Sequence, residues 1–232
     1  MEQEKFEQRI LWEDNHVLIV NKLPSELVQG DRTGDRILPD LIKAYLKEKY
    51  QKPGNVFCGV VHRLDRPTSG ALVFARTSKA LERLNKQFRE KENKKIYWAI
   101  VEAAPAKRQG RLVHYLKKNE KQNKSYANNK PVAGGKEAIL EYEHLLSSDH
   151  YHLLRIELET GRHHQIRCQL ATIGCPIKGD LKYGAKRSNP DGSIHLHARE
   201  LCIEHPTKKE VLCVKAPCPD EKLWKWFEEN AE

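Results

Sequence analysis

Several features are missing from this sequence, and each absence removes a class of function. No apolar run approaches the roughly 20 residues that cross a bilayer. The opening stretch MEQEKFEQRI mixes both signs of charge and has no apolar core, so it does not read as a signal peptide. None of the six cysteines (Cys58, Cys168, Cys175, Cys202, Cys213 and Cys218) belongs to a CxxC pair, which argues against a zinc ribbon. Reduced thiols and a cytoplasmic location are therefore expected. There is no GxxxxGK[ST] loop and no GxGxxG in a helix context, so no nucleotide cofactor is expected; a GxSxG nucleophile elbow is absent too. Repeats and low-complexity tracts are also missing.

Acids are in short supply. The 232 residues hold 41 Lys and Arg against 32 Asp and Glu, a formal net charge of +9 and a pI near 9.2. That balance favours a polyanionic partner, nucleic acid before an anionic membrane surface. With 39% hydrophobic residues the composition is globular, and a chain of this length buries roughly 70% of its unfolded surface without needing a staple. The length fits one large domain or two small ones. No long heptad pattern is present, which makes a monomer the expected state.

The periodicity predicts two short strands in ILWEDNHVLIVNK around a turn at Glu13–Asn15. It then predicts a helix in ILPDLIKAYLKEKY with Leu38, Leu41, Ile42 and Tyr45 on one face. A strand over Cys58–Val61 leads to VHRLDRPTSG, and ALVFA at 71–75 reads as a buried strand. SKALERLNKQFREKE reads as a helix capped by Ser78, with Leu81, Leu84 and Phe88 inward and Lys79, Arg83, Lys86 and Arg89 outward. KKIYWAIVEA is a strand of β-branched and aromatic residues. Residues 105–135 read as irregular and basic. Within them AKRQGRLVHYLKKNEKQNK is either a solvated loop or a hairpin that grips phosphates, and the overall charge favours the hairpin. EAILEYEHL and YHLLRIELET read as paired strands. HHQIRCQLATIG is a helix with Ile166, Leu170 and Ile173 inward, Gly174 at its end and Pro176 beyond. SIHLHARELCIEHPTKKEVLCVKAP reads as strand, strand, turn, strand, and PDEKLWKWFEEN as a helix with Leu223, Trp226 and Phe227 inward. Strands outnumber helices and several look hairpin-connected. The expected class is α+β, with a mixed, mainly antiparallel sheet and flanking helices.

Three constellations could carry chemistry. In VHRLDRPTSG, Asp65 stands between Arg63 and Arg66, and nearby guanidinium groups favour a carboxylate's ionised form. Such a group serves as nucleophile or general base and is a poor general acid. Pro67 fixes the backbone and Thr68–Ser69–Gly70 permits a tight turn, so Asp65 would sit on a rigid loop. A purely structural Arg–Asp–Arg cluster is the alternative. In TGRHHQIRCQLA, Arg162 and Arg167 accompany Gln165 and Gln169 at a helix start. Arg167 borders the buried face and needs a carboxylate partner, for which Asp65 is a candidate, or else snorkels to water. In KKIYWAI, Tyr97 and Trp98 point to opposite faces of a strand; one ring could stack on a base, or both could be core. His195 and His197 form an HxH with no further ligand at a motif-like spacing, a thin metal site.

HRLDRPTSGALVFART, KKIYWAIV, TGRHHQIRCQLATIGCPIKGDLKYG and LHARELCIEHP resemble, in order and spacing, the RluA-type RNA pseudouridine synthases, and VNKLPSELV resembles that family's opening strand and loop. The resemblance runs from about Val20 to Pro217. It implies a mixed, mainly antiparallel sheet with a cleft across one face, the pseudouridine synthase fold, and isomerisation of uridine in ribosomal or transfer RNA to pseudouridine without a cofactor. The family's essential aspartate falls on Asp65, its base-stacking tyrosine on Tyr97 and its basic partner of the aspartate on Arg167. Arg63 resembles the arginine that helps fill the gap left by the flipped nucleotide. RNA contacts are expected from His62, Arg63, Arg66 and Arg162, and from Lys117 and Lys118 of the basic segment. Leu23 separates Lys22 from Pro24, His163 stands where Thr is common, and Cys175 occupies a frequent His position. These departures fall outside the three chemical residues. One catalytic domain over 1–232 is expected, with no separate N-terminal RNA-binding domain. The rival readings are a catalytically silent RNA-binding protein and a metal-dependent nuclease built on His195 and His197.

Overall fold

In the computed structural model, residues 6–30 and 34–231 are described; the first half of MEQEKFEQRI lies outside them. The chain order is β1 (Ile10–Glu13), β2 (Val17–Lys22), α1 (Leu38–Lys49), β3 (Gly59–Val60), β4 (Ser69–Ala75), α2 (Ser78–Glu90), β5 (Lys94–Val101), β6 (Gln109–Asn119) and β7 (Lys124–Asn128). It continues through β8 (Lys136–Ser147), β9 (His152–Leu158), α3 (Gln165–Thr172), a 3-10 turn (Leu181–Tyr183), β10 (Leu196–Glu204), β11 (Val211–Lys215) and α4 (Lys222–Ala231). The class is α+β with a mixed, mainly antiparallel sheet, as the pattern of short strands and amphipathic helices predicts.

The chain forms two units, each made of two segments: Met1–Lys94 with Ala198–Pro217, and Lys95–His197 with Cys218–Glu232. In the first, β1, β2, β4 and β10 are neighbours in that order, with β11 on β10 and β3 on β4. The β1–β2 turn forms because the Asp14 carboxylate accepts the N–H groups of His16 and Val17 at 2.8 and 2.9 Å. Every residue of β4 is buried, as its unbroken apolar run implies. Val17 and Ile19 of β2, Ala71 and Val73 of β4, Ala80 and Leu84 of α2, and Leu201 and Ile203 of β10 make the core. The N-cap of α2 is Thr77 rather than Ser78: its hydroxyl accepts the Ala80 N–H at 3.1 Å while its backbone stays extended. In α1, Leu46 is buried in addition to Leu38, Ile42 and Tyr45, while Leu41 is half-buried.

The second unit carries β5, β9, β8, β6 and β7 in that order. Here the structure corrects the irregular reading of 105–135, and of the two readings of its basic core, solvated loop or hairpin, it shows the hairpin. Two antiparallel strands occupy it, joined by a short turn, with Lys117 opposite Tyr126 and Asn119 opposite Lys124. Along β6, His114 and Leu116 are buried and Lys117 alternates with them on the wet side, while Lys118 is in phase with them and is exposed near the end of the strand. Within SIHLHARELCIE one strand forms instead of two, Leu196–Glu204, and the thiols of Cys202 and Cys213 are joined across β10 and β11. The two cysteines face each other in register with Cα atoms 4.1 Å apart, which corrects the expectation of reduced thiols for this pair. In α4 the buried residues are Trp224 and Phe227; Trp226 is exposed.

Candidate active site

Strand register separates the two faces of the second unit's sheet. Tyr97, Ile156, Tyr142 and Gly110 lie opposite one another across β5, β9, β8 and β6 and so share one face. Trp98, Arg155, Glu143 and Gln109 share the other. Trp98 joins Ile100, Leu153, Trp224 and Phe227 in a core cluster, so α4 covers its face. The face carrying Tyr97 is covered by α3, where Cys168 packs with Leu116 and Ala138 and Gln169 bonds the carbonyls of Leu112 and Ala138. Of the two aromatic candidates, Trp98 is a core ring and Tyr97 shares a sheet face with the helix that holds Arg167.

Arg167 lies in the first turn of α3, and its side chain is only 6% exposed. Its Nε and Nη2 donate to the two carboxylate oxygens of Asp180, at 2.7 and 2.8 Å. Asp180, thirteen residues downstream, is thus one carboxylate partner of Arg167. The Tyr183 ring lies 5.1 Å from the guanidinium carbon. The Tyr183 hydroxyl accepts the Ser125 N–H at 2.8 Å and meets His164 Nδ1 at 3.0 Å. Burial first, then the Arg167 charge, pushes His164 down to about 2, so this imidazole stays neutral. His163, at the position where Thr is common among the synthases this chain resembles, stacks on His164 at 3.7 Å and reaches Asn123 of the β6–β7 turn and Ser125 of β7. Arg162 is exposed and donates to the Glu137 carbonyl at 2.8 Å. Lys117 and Lys118 are exposed on β6, and Lys118 pairs with Glu120 at 2.6 Å.

In the first unit, Asp65 is half-buried between β3 and β4. Its carbonyl accepts the Thr68 N–H at 3.0 Å, closing a turn over Arg66 and Pro67. The turn rests on a residue that sequence reasoning did not single out as functional. Lys22, at the end of β2, is fully buried, and its Nζ donates to the carbonyls of Leu23, Arg66 and Thr68 at 3.0, 3.1 and 2.7 Å. Three acceptors match the three N–H groups of an ammonium. Burial lowers Lys22 to about 8, opposed by the charges of Glu26 and Asp65. The arginines that flank Asp65 in sequence reach other groups: Arg63 donates to Gln29, and Arg66 pairs with Asp35 at 2.7 Å. His62 stacks on Phe88 at 4.6 Å, and its Nε2 accepts the Val73 N–H at 3.3 Å. Gly70 ends the motif at φ +119°, where an added Cβ would lie 2.4 Å from the backbone N and O of Ala198.

The HxH pair is structural. His195 stacks on Trp224 at 5.4 Å, its Nδ1 meets the Asn189 amide at 3.0 Å and its Nε2 meets Glu221 at 3.2 Å. One donor and one acceptor suit a neutral ring, and burial lowers His195 in keeping with that. His197 is fully buried beside the same indole. Among the described residues no group of three His, Cys, Asp or Glu side chains could hold a metal ion, and no helix is long and apolar enough to cross a membrane.

Comparison with known proteins adds the following. The profile of a family described as RNA pseudouridylate synthase matches residues 16–172. A protein of Synechocystis sp. named an uncharacterized RNA pseudouridine synthase is 34% identical over 215 residues, spanning 90% of this chain and 65% of its own length. The ribosomal large subunit pseudouridine synthase C of Buchnera aphidicola is 34% identical over 220 residues, spanning 91% of this chain and 67% of its own. This chain therefore spans about two thirds of the length of these relatives. Human RNA pseudouridylate synthase domain containing 4 shares the fold, with a TM-score of 0.79, 22% identity and coverage of 94% of this chain and 92% of that one.

Proposed function

The chain belongs to the RluA-type RNA pseudouridylate synthases, and from that premise we propose that it isomerises uridine in RNA to pseudouridine without a cofactor. The observation that carries this reading is the family match over residues 16–172, which contains Asp65, Tyr97 and Arg167. Ribosomal RNA of the large subunit is the favoured substrate, on the strength of the Buchnera relative's name. The cytoplasm, where such RNA is made, is the proposed location, and the working unit is a monomer.

The reaction breaks the bond between uracil N1 and ribose C1′, turns the base, and joins C5 to C1′. The C5 proton leaves and N1 gains one, so nothing is oxidised or reduced. Asp65 acts as the anion, whether it attacks sugar or base or removes a sugar proton. A lysine that is itself lodged on the carbonyls of Arg66 and Thr68 braces the turn that carries it. Arg167 is its basic partner and keeps it ionised and aimed. Tyr97 holds the detached uracil so that it re-bonds instead of escaping. A uridine in a helix must first be flipped out, at a cost of a few kcal/mol. His62, Arg63, Arg66, Arg162, Lys117 and Lys118 are the proposed RNA contacts that offset it.

RNA tritiated at uracil C5 tests the reading. The enzyme should release label with or without chelator, and Asp65→Asn should reduce release to background while still binding RNA. Release that survives Asp65→Asn counts against the assignment, and chelator-sensitive strand scission would favour a nuclease. Pseudouridine mapping in cells with and without the gene identifies the target.

A further inference from the structure

We propose that Asp180 is the positioning residue for Arg167, holding two nitrogens of the guanidinium on one side so that its remaining edge is presented in a fixed direction. The inference rests on the reading of Arg167 as the basic partner of the essential carboxylate.

The geometry is that of a fork gripping a fork. Asp180 engages Nε and Nη2 at 2.7 and 2.8 Å, and its own side chain is 1% exposed. Two parallel bonds fix the plane of the guanidinium as well as its position. They occupy part of its set of five N–H donors, and those on Nη1 belong to the opposite edge.

The support for Asp180 is itself rigid. Its backbone N–H donates to Ile177 at 3.0 Å, and its carbonyl accepts from Tyr183 and Ala185 at 3.0 Å each. Gly179, just before it, sits at φ +88° against the Asn189 side chain, where a Cβ would come within 2.7 Å. Tyr183, the next aromatic on that turn, lies against the guanidinium and is held in turn by Ser125 and His164.

Stability alone is a poor reason for this arrangement. Well-packed apolar side chains of the same volume stabilise a buried contact as well as an ion pair or better, because both charges must be desolvated. What an ion pair supplies is direction. The pair is also neutral as a whole, so Arg167 offers its partner oriented N–H groups in place of an unbalanced positive charge. Removing the Asp180 charge while keeping its size separates these two effects.

The test is single-turnover label release against pH, with RNA binding and thermal melting measured alongside. In Asp180→Asn the plateau rate should fall about 10- to 100-fold, the cost of a misaimed group, with the RNA Kd within about 3-fold. The acid limb of the rate should move to lower pH by about one pH unit, because an unbalanced Arg167 favours the anionic carboxylate. Asp180→Glu keeps the charge and displaces it, so its plateau should fall while its acid limb stays in place. Other ionisable groups around the pair are His163 and His164 at the start of α3, Lys182 and Tyr183 on the turn, and Lys118 and Lys124 on the hairpin. Tyr183 feels the Asp180 charge directly, and Asp180→Glu, which keeps that charge, is the control for the response of these groups.

Plateau rates within about 2-fold of wild type in both variants, or an unmoved acid limb in a folded Asp180→Asn, would overturn the proposal. Should Asp180→Asn fail to fold, the plateau of Asp180→Glu decides. Persistent label release in Asp65→Asn would mark a different failure, that of the underlying reading.

Discussion

Lys22 shows what a single buried charge does to this protein. Its ammonium is buried, with three carbonyls in front of it. Burial holds its folded pKa at about 8, below its ordinary value of 10.5. Between those two values the unfolded chain binds more protons than the folded one. Stability from this group is therefore gained as pH rises from 8 towards 10.5 and is lost as pH falls through 8. Urea unfolding at intervals from pH 7 to 10 should show wild type gaining on Lys22→Met by up to about 3 kcal/mol. A difference that stays flat across that range would mean that Lys22 titrates as it would in water. The sequence named Asp65, Tyr97 and Arg167 because their motifs are contiguous and stand in a recognisable order. It could not name Lys22 as the brace of the Asp65 turn, since two of its three acceptors belong to Arg66 and Thr68, more than forty positions away. Strand periodicity by itself could not separate Tyr97 from Trp98, and only the family resemblance named Tyr97. Adjacent residues on a strand differ only in which face is covered, and that depends on whether α3 or α4 packs there.

At the scale of elements, the periods of apolar residues were readable and their ends were not. The helix over residues 78–90 is legible from its spacing, yet the cap moved from Ser78 to Thr77 because capping is decided by one backbone torsion. Trp226 and Trp224 are two positions apart on a short helix, and either could have faced inward until the sheet chose Trp224. The β6–β7 hairpin was one of two readings of the basic segment, and the sequence left its strand register open. The junction of the Asp65 loop with β4 was half legible: Thr68–Ser69–Gly70 announces a turn, but not that Gly70 presses on a neighbouring strand. That contact makes a sharp prediction. Gly70→Ala places a methyl 2.4 Å from the Ala198 backbone at a torsion that side chains rarely adopt. The backbone of β10 has no flexible end to swing aside, so β4 must shift and carry the Asp65 loop with it. The expected loss is about 3 kcal/mol or more, read as a lower melting temperature together with weakened label release. A variant that melts within a degree or two of wild type would show that β4 and β10 have room to separate.

At the scale of the whole molecule the dominant fact is charge. A net charge of +9 on 232 residues draws any RNA in before chemistry begins. Composition makes this clear at once but cannot say which cations touch phosphate. The structure sorts the proposed contacts by what they already hold. Lys118 has Glu120 at 2.6 Å and must exchange that partner for a phosphate. Arg66 has Asp35 and Arg162 has the Glu137 carbonyl, so each faces a similar exchange. Exposed ion pairs are individually weak, so the exchange is affordable, yet it discounts what each residue adds. Each phosphate contact contributes about 0.7 to 0.9 to the slope of log K against log salt. Replacing Lys117 and Lys118 together by Ala should therefore flatten that slope by about one to two and weaken binding evenly across RNA sequences. Lys118→Ala alone should do less than Lys117→Ala alone, because Lys118 must give up Glu120 to reach a phosphate and so adds less to binding. Filter binding from low to physiological salt measures all three slopes. An unchanged slope in the double variant would place the hairpin away from the phosphates, and the attraction would then have to come from the other cations of the chain.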